Sequence, residues 1–255
     1  MLRHSCSIAS AALAAWVVAA VPVAHAADKV PAAISAAVAD KSRPAEDQAR
    51  DANRKPAEVI AFAGIKKGDK VAELLPGGGY FTRIFAKVVG DNGVVYALTP
   101  PRRPDAAAGA PDPAAGANLV AAENKNVKVS TLTLEKVAPE PVDVVWTSDN
   151  YHDVHNRPGA DLGAFNKAVF DALKPGGVYI VIDHAAAPGA GATVTSTLHR
   201  IDPETVKSEV TGAGFKLDGE SSVLKNPDDP HTAGVRDPSV RGKTDQFVLK
   251  FRKPK

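Results

Sequence analysis

Residues 71–89, VAELLPGGGYFTRIFAKVV, decide the fold. Val71 to Leu75 form a short apolar run of the length of a buried strand, and Pro76 to Gly79 interrupt it. The residues that follow, Phe81 to Val89, carry apolar side chains at helical spacing. The segment therefore predicts a strand, a glycine loop and a helix.

The same alternation continues along the chain. A helix from Pro56 to Gly64 is predicted before the first strand, with Pro in its first turn. Further strands are predicted at Gly93 to Leu98, Val127 to Leu134, Val142 to Thr147 and Val178 to Asp183. A helix from Asp202-Pro203 to about Ala213 precedes two last strands, within Phe215 to Leu224 and Asp245 to Arg252.

Strands that alternate with helices favour a parallel sheet covered on both faces, because parallel neighbours need crossover connections. We therefore expect an α/β protein with a Rossmann-like, doubly wound, mostly parallel seven-stranded sheet and a C-terminal antiparallel β-hairpin. Two segments do not fit this alternation. Pro100 to Gly116, rich in Pro, Ala and Gly, predicts an irregular insertion, and the connection that contains Asp228 to His231 predicts a surface loop or a lid.

The N-terminus has the three parts of a secretory signal peptide. Arg3 precedes an apolar run from Ile8 to Val21, and Ala24-His25-Ala26 is a small-x-small cleavage pattern. The alternative is an uncleaved anchor, but the run is shorter than the roughly 20 residues that span a bilayer. We expect a signal peptide at residues 1–26, a flexible Ala-rich leader at 27–42, one domain at 43–255, and a periplasmic or secreted bacterial protein.

Composition limits the partners and the chemistry. Cys6 is the only cysteine and lies in the predicted signal peptide, so the mature chain would lack thiolate catalysis and Cys-ligated zinc. The net charge of +2 over the whole chain is too small to favour nucleic acid or an anionic membrane. We expect a small-molecule substrate, no nucleic-acid partner and no stable membrane anchor after cleavage.

Two loops are candidate ligand sites, because ligands bind at the carboxyl ends of the strands in open α/β sheets. After the first strand, the glycines allow close approach to the backbone and the next helix offers free N–H donors; the alternative is a tight turn without a ligand. After the fourth strand lies the polar cluster Asp149 to Asp153, where His152 beside Asp153 has the chemistry of a general base. The alternative for this cluster is a polar loop that caps the next helix.

The histidines give no metal motif. His152, His155, His184 and His199 occur at spacings that match no recognised ligand pattern, so we expect no metal site. A hydrolase that uses His152 and Asp153 would need a nucleophile, and the sequence has neither a Gly-x-Ser-x-Gly elbow nor a cysteine in the mature chain.

The chain resembles class I S-adenosylmethionine-dependent methyltransferases between about Glu58 and Phe251. Glu73 matches the acidic residue of their motif I, and Gly77 and Gly79 match its second and third glycines, whereas Leu75 replaces the first. Leu173-Lys174-Pro175-Gly176-Gly177 looks like the turn that commonly precedes strand five in this class. With Arg241 to Asp245 before the last strand, the whole pattern is similar to predicted exported bacterial methyltransferases.

The resemblance implies methyl transfer from S-adenosyl-L-methionine to an acceptor that it does not identify. It places the cofactor at Glu73, Pro76, Gly77, Gly78, Gly79, Tyr80, Asp149 and Asn150. It puts Tyr151, His152 and Asp153 at the reacting end. The second strand ends without the acidic residue that usually binds the ribose, so the alternative is an exported small-molecule-binding protein that keeps the fold without catalysis.

Export is the first testable prediction. The mature protein should begin near Ala27, because small residues at Ala24 and Ala26 fit the signal peptidase. N-terminal sequencing of protein from the periplasm or medium checks this. Exported protein that still begins at Met1 would contradict it.

Overall fold

The computed structural model describes residues 30–102, 105–133 and 137–255. The helices are α1 Ala32–Val38, α2 Ala45–Arg54, α3 Pro56–Ala63, α4 Tyr80–Val89, α5 Ala115–Glu123, α6 Tyr151–His155, α7 Leu162–Ala172 and α8 Pro203–Gly212. The strands are β1 Lys70–Leu74, β2 Val94–Thr99, β3 Val127–Thr131, β4 Val142–Ser148, β5 Leu173–His184, β6 Lys216–Ser221 and β7 Gln246–Arg252. The predicted signal peptide lies outside the described residues.

The seven strands form one sheet in the order β3-β2-β1-β4-β5-β7-β6. β1 pairs in parallel with both β2 and β4, while β7 runs antiparallel to β5 and β6. The predicted fold class is therefore confirmed, including the antiparallel hairpin. One apolar cluster covers each face of the sheet, with Trp146 of β4 in one and Tyr179 of β5 in the other.

Several element bounds differ from the predictions. β5 begins at Leu173, five residues before the predicted start, because Leu173 already pairs with Val142. The Lys174 to Gly177 segment then forms an irregularity in that pairing. β3 ends at Thr131, and the predicted last residue of this strand, Leu134, lies outside the described residues.

Two N-terminal helices were not predicted as packed elements. α1 lies within the segment predicted to be a flexible leader, yet Ile34 and Ala37 are buried in the core beside α3 and α4. α2 follows and consists of charged, polar and alanine residues only. Among the described residues, no helix combines the length and hydrophobicity that crossing a bilayer requires.

A buried ion pair fixes the long connection between β6 and β7. The side chains of Arg200 and Asp229 are both 0% exposed, and two guanidinium nitrogens donate to the two carboxylate oxygens at 2.7 and 3.0 Å. Arg200 also donates to the carbonyls of Ala185 and Ala233. Asp229 accepts from the backbone N–H of Asp245. This segment is therefore anchored to the end of β5.

Removal of one partner should be costly. Asp229→Ala leaves a buried guanidinium without its counter-charge, so the free energy of unfolding should fall by about 3–5 kcal/mol. Urea denaturation measures this. Asp228→Ala removes the exposed neighbouring carboxylate and should change stability little; equal effects of the two substitutions would show that the ion pair is not what anchors the connection.

Candidate functional site

The backbone turns sharply after β1. Leu75, Gly77 and Gly79 have φ angles of 55°, 56° and 81°, in the left-handed region that favours glycine. Leu75 adopts this conformation although it carries a side chain, while its N–H donates to the carbonyl of Leu98 at the end of β2. The residue that departs from motif I therefore has a backbone conformation that glycine would adopt freely.

The three glycines of this loop differ in their surroundings. A Cβ at Gly77 or Gly78 would meet no atom within 4 Å, so this part of the backbone faces open space. A Cβ at Gly79 would lie 2.6 Å from Val120 of α5. Gly79 is thus required for helix packing, whereas Gly77 and Gly78 leave one side of the backbone open.

Glu73 is a buried carboxylate at the end of β1. It is 3% exposed, and its Oε2 accepts a hydrogen bond of 2.6 Å from the hydroxyl of Thr82 on α4. Burial raises the pKa of Glu73 to about 7, although the Thr82 bond and the positive charges of Arg54 and Arg83 act in the opposite direction. The site therefore contains an acid that changes its charge near neutral pH.

α2 covers the glycine loop through polar contacts. Asp47 binds Arg83 of α4 at 2.8 Å, and Arg83 also donates to the carbonyl of Gly78. One turn later, Asp51 accepts a bond of 2.6 Å from the Tyr80 hydroxyl. These contacts fix α2, α4 and the loop relative to one another.

Arg54 at the end of α2 reaches across to the loop after β4. Its guanidinium forms an ion pair with Asp149 and lies 4.9 Å from the ring centroid of Tyr80. Asp149 has a φ of 61° and also accepts from Gln246 of β7 at 2.7 Å. Arg54 and Asp149 thus connect α2 with the ends of β4 and β7.

Two adjacent cavities open at this edge of the sheet, and both are lined by Arg50, Arg54 and Asp149. The smaller one, of about 160 Å³, is lined further by Glu73, Leu74, Leu75, Pro76, Gly77, Gly78, Tyr80, Phe81, Ser148 and Asn150. The larger one, of about 720 Å³, is lined further by Glu46, Asn53, His184, Arg241, Gly242, Thr244 and Gln246. We call them the loop cavity and the outer cavity.

The structure brings together most of the residues predicted to bind the cofactor. Except for Gly79, all of them line the loop cavity. Gly79 packs against α5 instead. The assignment of these residues to a cofactor stays a prediction, but they do share one cavity.

The predicted catalytic residues lie elsewhere. Tyr151 is fully buried in the core, where its hydroxyl donates to Glu209 and accepts from Asn166. His152 is 3% exposed, and Asp153 is half-exposed on α6. None of Tyr151, His152 and Asp153 is among the residues that line the loop cavity or the outer cavity.

His152 is held by Asp183 at the end of β5. Asp183 accepts from both the ring Nδ1 of His152, at 2.7 Å, and its backbone N–H, at 2.8 Å. Burial alone would lower the pKa of His152, but the hydrogen bond and negative charge of Asp183, with the charges of Asp153 and Asp149, raise it. Its Nε2 points towards His199 and Asp153, which are ligand types for a metal.

Several residues that line the cavities were missed in the sequence. Arg50 and Arg54 are four residues apart, which places them on one face of a helix, but the apolar residues of α2 are all alanines, which mark a buried helix face only weakly. His184 directly follows the predicted strand that ends at Asp183, and the sequence assigned it no role. Gln246 becomes visible only through the antiparallel pairing of β7 with β5.

Solved structures share the fold at low sequence identity. An S-adenosylmethionine-dependent methyltransferase from Aquifex aeolicus is 18% identical, with a TM-score of 0.55 over 82% of this chain and 98% of that one. CrArsM, an arsenic(III) S-adenosylmethionine methyltransferase from Chlamydomonas reinhardtii, is 17% identical, with a TM-score of 0.54 over 88% and 74%. The [4+2]-cyclase SpnF is 16% identical, with a TM-score of 0.54 over 82% of each chain. No protein-family model and no curated protein matches the sequence.

The buried Glu73 generates a pH prediction. Glu73 has a usual pKa of 4.5 and a raised value of about 7 in the fold. The free-energy cost of burying the ionised carboxylate is therefore absent below pH 4.5, grows as the pH rises, and reaches its full value above about pH 7. The free energy of unfolding should fall over this range by up to about 3 kcal/mol from this group.

Glu73→Gln should remove that part of the pH dependence. The free energy of unfolding of the variant should increase relative to that of the wild type as the pH rises through this range, since the amide cannot ionise. The amide oxygen can still accept the hydrogen bond from Thr82. Urea denaturation at several pH values measures the difference. Glu123→Gln, at the exposed end of α5, is the control and should stay parallel to the wild type; a Glu73→Gln profile that also stays parallel would contradict the prediction.

Proposed function

We propose that the protein binds S-adenosyl-L-methionine with its methionine part in the loop cavity and transfers its methyl group to a small molecule in the outer cavity. The observation that supports this most is the open backbone of Gly77 and Gly78 beside the buried carboxylate of Glu73. The fold is shared with methyltransferases from Aquifex and Chlamydomonas, which fits the proposal. The cyclase SpnF shares the fold too, so the reaction depends on the residues of the site and not on the fold alone.

The residues of the loop cavity suit the charges of this cofactor. Ionised Glu73 would hold the ammonium of the methionine part, and its pKa of about 7 allows ionisation when a cation approaches. The N–H groups that begin α4, with Arg50 and Arg54, would hold the carboxylate. Binding should then become tighter as the pH rises through 7, since Glu73 must lose its proton.

The loop cavity alone is too small for the whole cofactor. Its volume of about 160 Å³ lies below the roughly 300–1,000 Å³ of ligand pockets, whereas the outer cavity of about 720 Å³ lies within that range. Arg54 lines both cavities and is fixed there by Asp149. Movement of the Arg54 side chain would enlarge the space that the cofactor and the acceptor share.

Bound in this way, the cofactor supplies an electrophilic methyl group on a sulfonium centre. The residues of the chain would bind and orient the two reactants. The loop cavity would fix the cofactor, and the side chains of the outer cavity would fix the acceptor. Orientation of the two reactants lowers the activation barrier, because the translational and rotational entropy is already lost on binding and not in the reaction step. His184 lines the outer cavity, with the Thr244 hydroxyl oxygen 2.8 Å and the Gln246 side-chain nitrogen 3.2 Å from its Nδ1.

One observation favours the second candidate, a binding protein without catalysis. β2 ends at Thr99, and the Thr99 hydroxyl donates to the carbonyl of Ser130. The strand thus provides no carboxylate for the ribose hydroxyls, which would weaken binding by about 1.5–3 kcal/mol for each charged hydrogen bond. Export, which we also propose, would separate the protein from cytoplasmic cofactor.

Calorimetric titration with S-adenosylhomocysteine tests the site. Gly78→Val should weaken binding by about 100-fold or more, because the added side chain enters the space that a ligand would occupy. The position accepts a side chain: its φ is not left-handed and a Cβ meets no atom within 4 Å. Gly212→Val has the same two properties, on α8, and should bind like the wild type.

Equal affinity of the wild type and Gly78→Val would exclude the loop cavity as the cofactor site. If the wild type binds neither S-adenosylmethionine nor S-adenosylhomocysteine at millimolar concentration, the binding protein for another small molecule becomes the better proposal.

A further inference from the structure

Three potential metal ligands converge outside both cavities. His152 Nε2 lies 3.3 Å from His199 Nδ1 and 3.4 Å from Asp153 Oδ1, and the last two atoms are 3.5 Å apart. The three residues come from α6 and from the turn before α8. Asn156 Nδ2 also approaches Asp153 Oδ1, at 3.4 Å, but a contact of this length is a weak hydrogen bond.

Asp183 determines which nitrogen of His152 carries a proton. A carboxylate only accepts hydrogen bonds, so the 2.7 Å contact requires the proton on Nδ1. In the neutral ring, Nε2 then presents a lone pair to the other two residues. A carboxylate that orients a histidine in this way is the usual outer partner of a metal-binding histidine.

The backbone holds His199 in an unusual conformation. Its φ of 53° is left-handed, which costs energy for a residue with a side chain. The next two residues are firmly anchored: Arg200 by its buried ion pair with Asp229, and Ile201 by hydrogen bonds with His184 and Ala186. The chain therefore keeps the His199 imidazole beside His152 despite the strain.

We call the three ligand atoms His152 Nε2, Asp153 Oδ1 and His199 Nδ1 the triangle. Its size distinguishes between metals. Ligands at about 2.05 Å from a zinc ion at the centre of a tetrahedron lie about 3.3 Å from one another. Neighbouring ligands of an octahedral magnesium ion, at about 2.1 Å, lie about 3.0 Å apart. The observed separations of 3.3, 3.4 and 3.5 Å correspond to one face of the tetrahedron. Two imidazoles with one carboxylate also suit zinc better than magnesium.

We propose that His152, Asp153 and His199 bind one Zn²⁺ ion in tetrahedral geometry, with the fourth position open. Asp183 is the positioning residue that orients His152. The open position lies on the solvent side, because the side chains of His199 and Asp153 are 30% and 44% exposed whereas that of His152 is 3% exposed. This proposal does not depend on the proposed function, since none of the three residues lines either cavity.

Cobalt(II) is the probe, because tetrahedral Co²⁺ absorbs strongly in visible light and stands in for Zn²⁺. The metal-free mature protein should bind one equivalent of Co²⁺ and show these absorption bands. Zn²⁺ should displace it, and Mg²⁺ at the same concentration should not. Absence of the bands at millimolar Co²⁺ would overturn the proposal.

The substitutions identify the ligands without disturbing the fold. His199→Asn keeps a residue that tolerates the left-handed backbone, and Asp153→Asn keeps the size of the side chain. Each should weaken Co²⁺ binding by about 100-fold or more. The matched control is His231→Asn, at another left-handed histidine (φ 60°) that contacts Asp245 outside the triangle. Co²⁺ binding that survives His199→Asn, or that His231→Asn weakens equally, would refute this site.

Discussion

The pairing of β1 with β4 determines where ligands can bind. Glu73 lies opposite Trp146 in this register, so the two chains leave the sheet side by side. After β1 the chain turns towards α4, and after β4 it turns towards α6. Asn150 Nδ2 donates across the gap to the carbonyl of Leu75. Because the connections diverge at this switch point, they leave a crevice, and both cavities lie along it.

Polar and charged contacts, not apolar packing, hold α2 over this crevice. α2 contributes Asp47 to Arg83, Asp51 to Tyr80 and Arg54 to Asp149. Asp47 and Tyr80 are buried, whereas the side chains of Arg54 and Asp149 are partly exposed, so salt weakens the contact between Arg54 and Asp149 most. These contacts hold α2 over the crevice, and its residues Arg50 and Arg54 line both cavities.

The sequence predicted the sheet because strand length, glycine loops and helical periodicity are local signals. It also identified residues after β1 and β4 that line the loop cavity, since parallel strands bring their carboxyl ends to one edge, but not Arg50 and Arg54 of α2. It did not show how α6 orients its side chains. Tyr151 and His155 are four residues apart and both contact Glu209 at the core, whereas His152 faces Asp183. A helix of one turn is too short for its buried face to be inferred from periodicity.

The main effect of the buried pair of Arg200 and Asp229 is to fix the positions of the neighbouring residues. A buried ion pair adds little stability over apolar residues of the same size, because both charges lose their hydration. Its geometric effect is larger here. On one side it fixes Arg200, directly after the strained His199; on the other, Asp229 binds the N–H of Asp245, directly before Gln246 of the outer cavity. One interaction therefore positions residues at both proposed sites, although sequence separates its partners by 29 residues. No local pattern indicates such a pairing, which explains why sequence analysis missed the triangle of His152, Asp153 and His199.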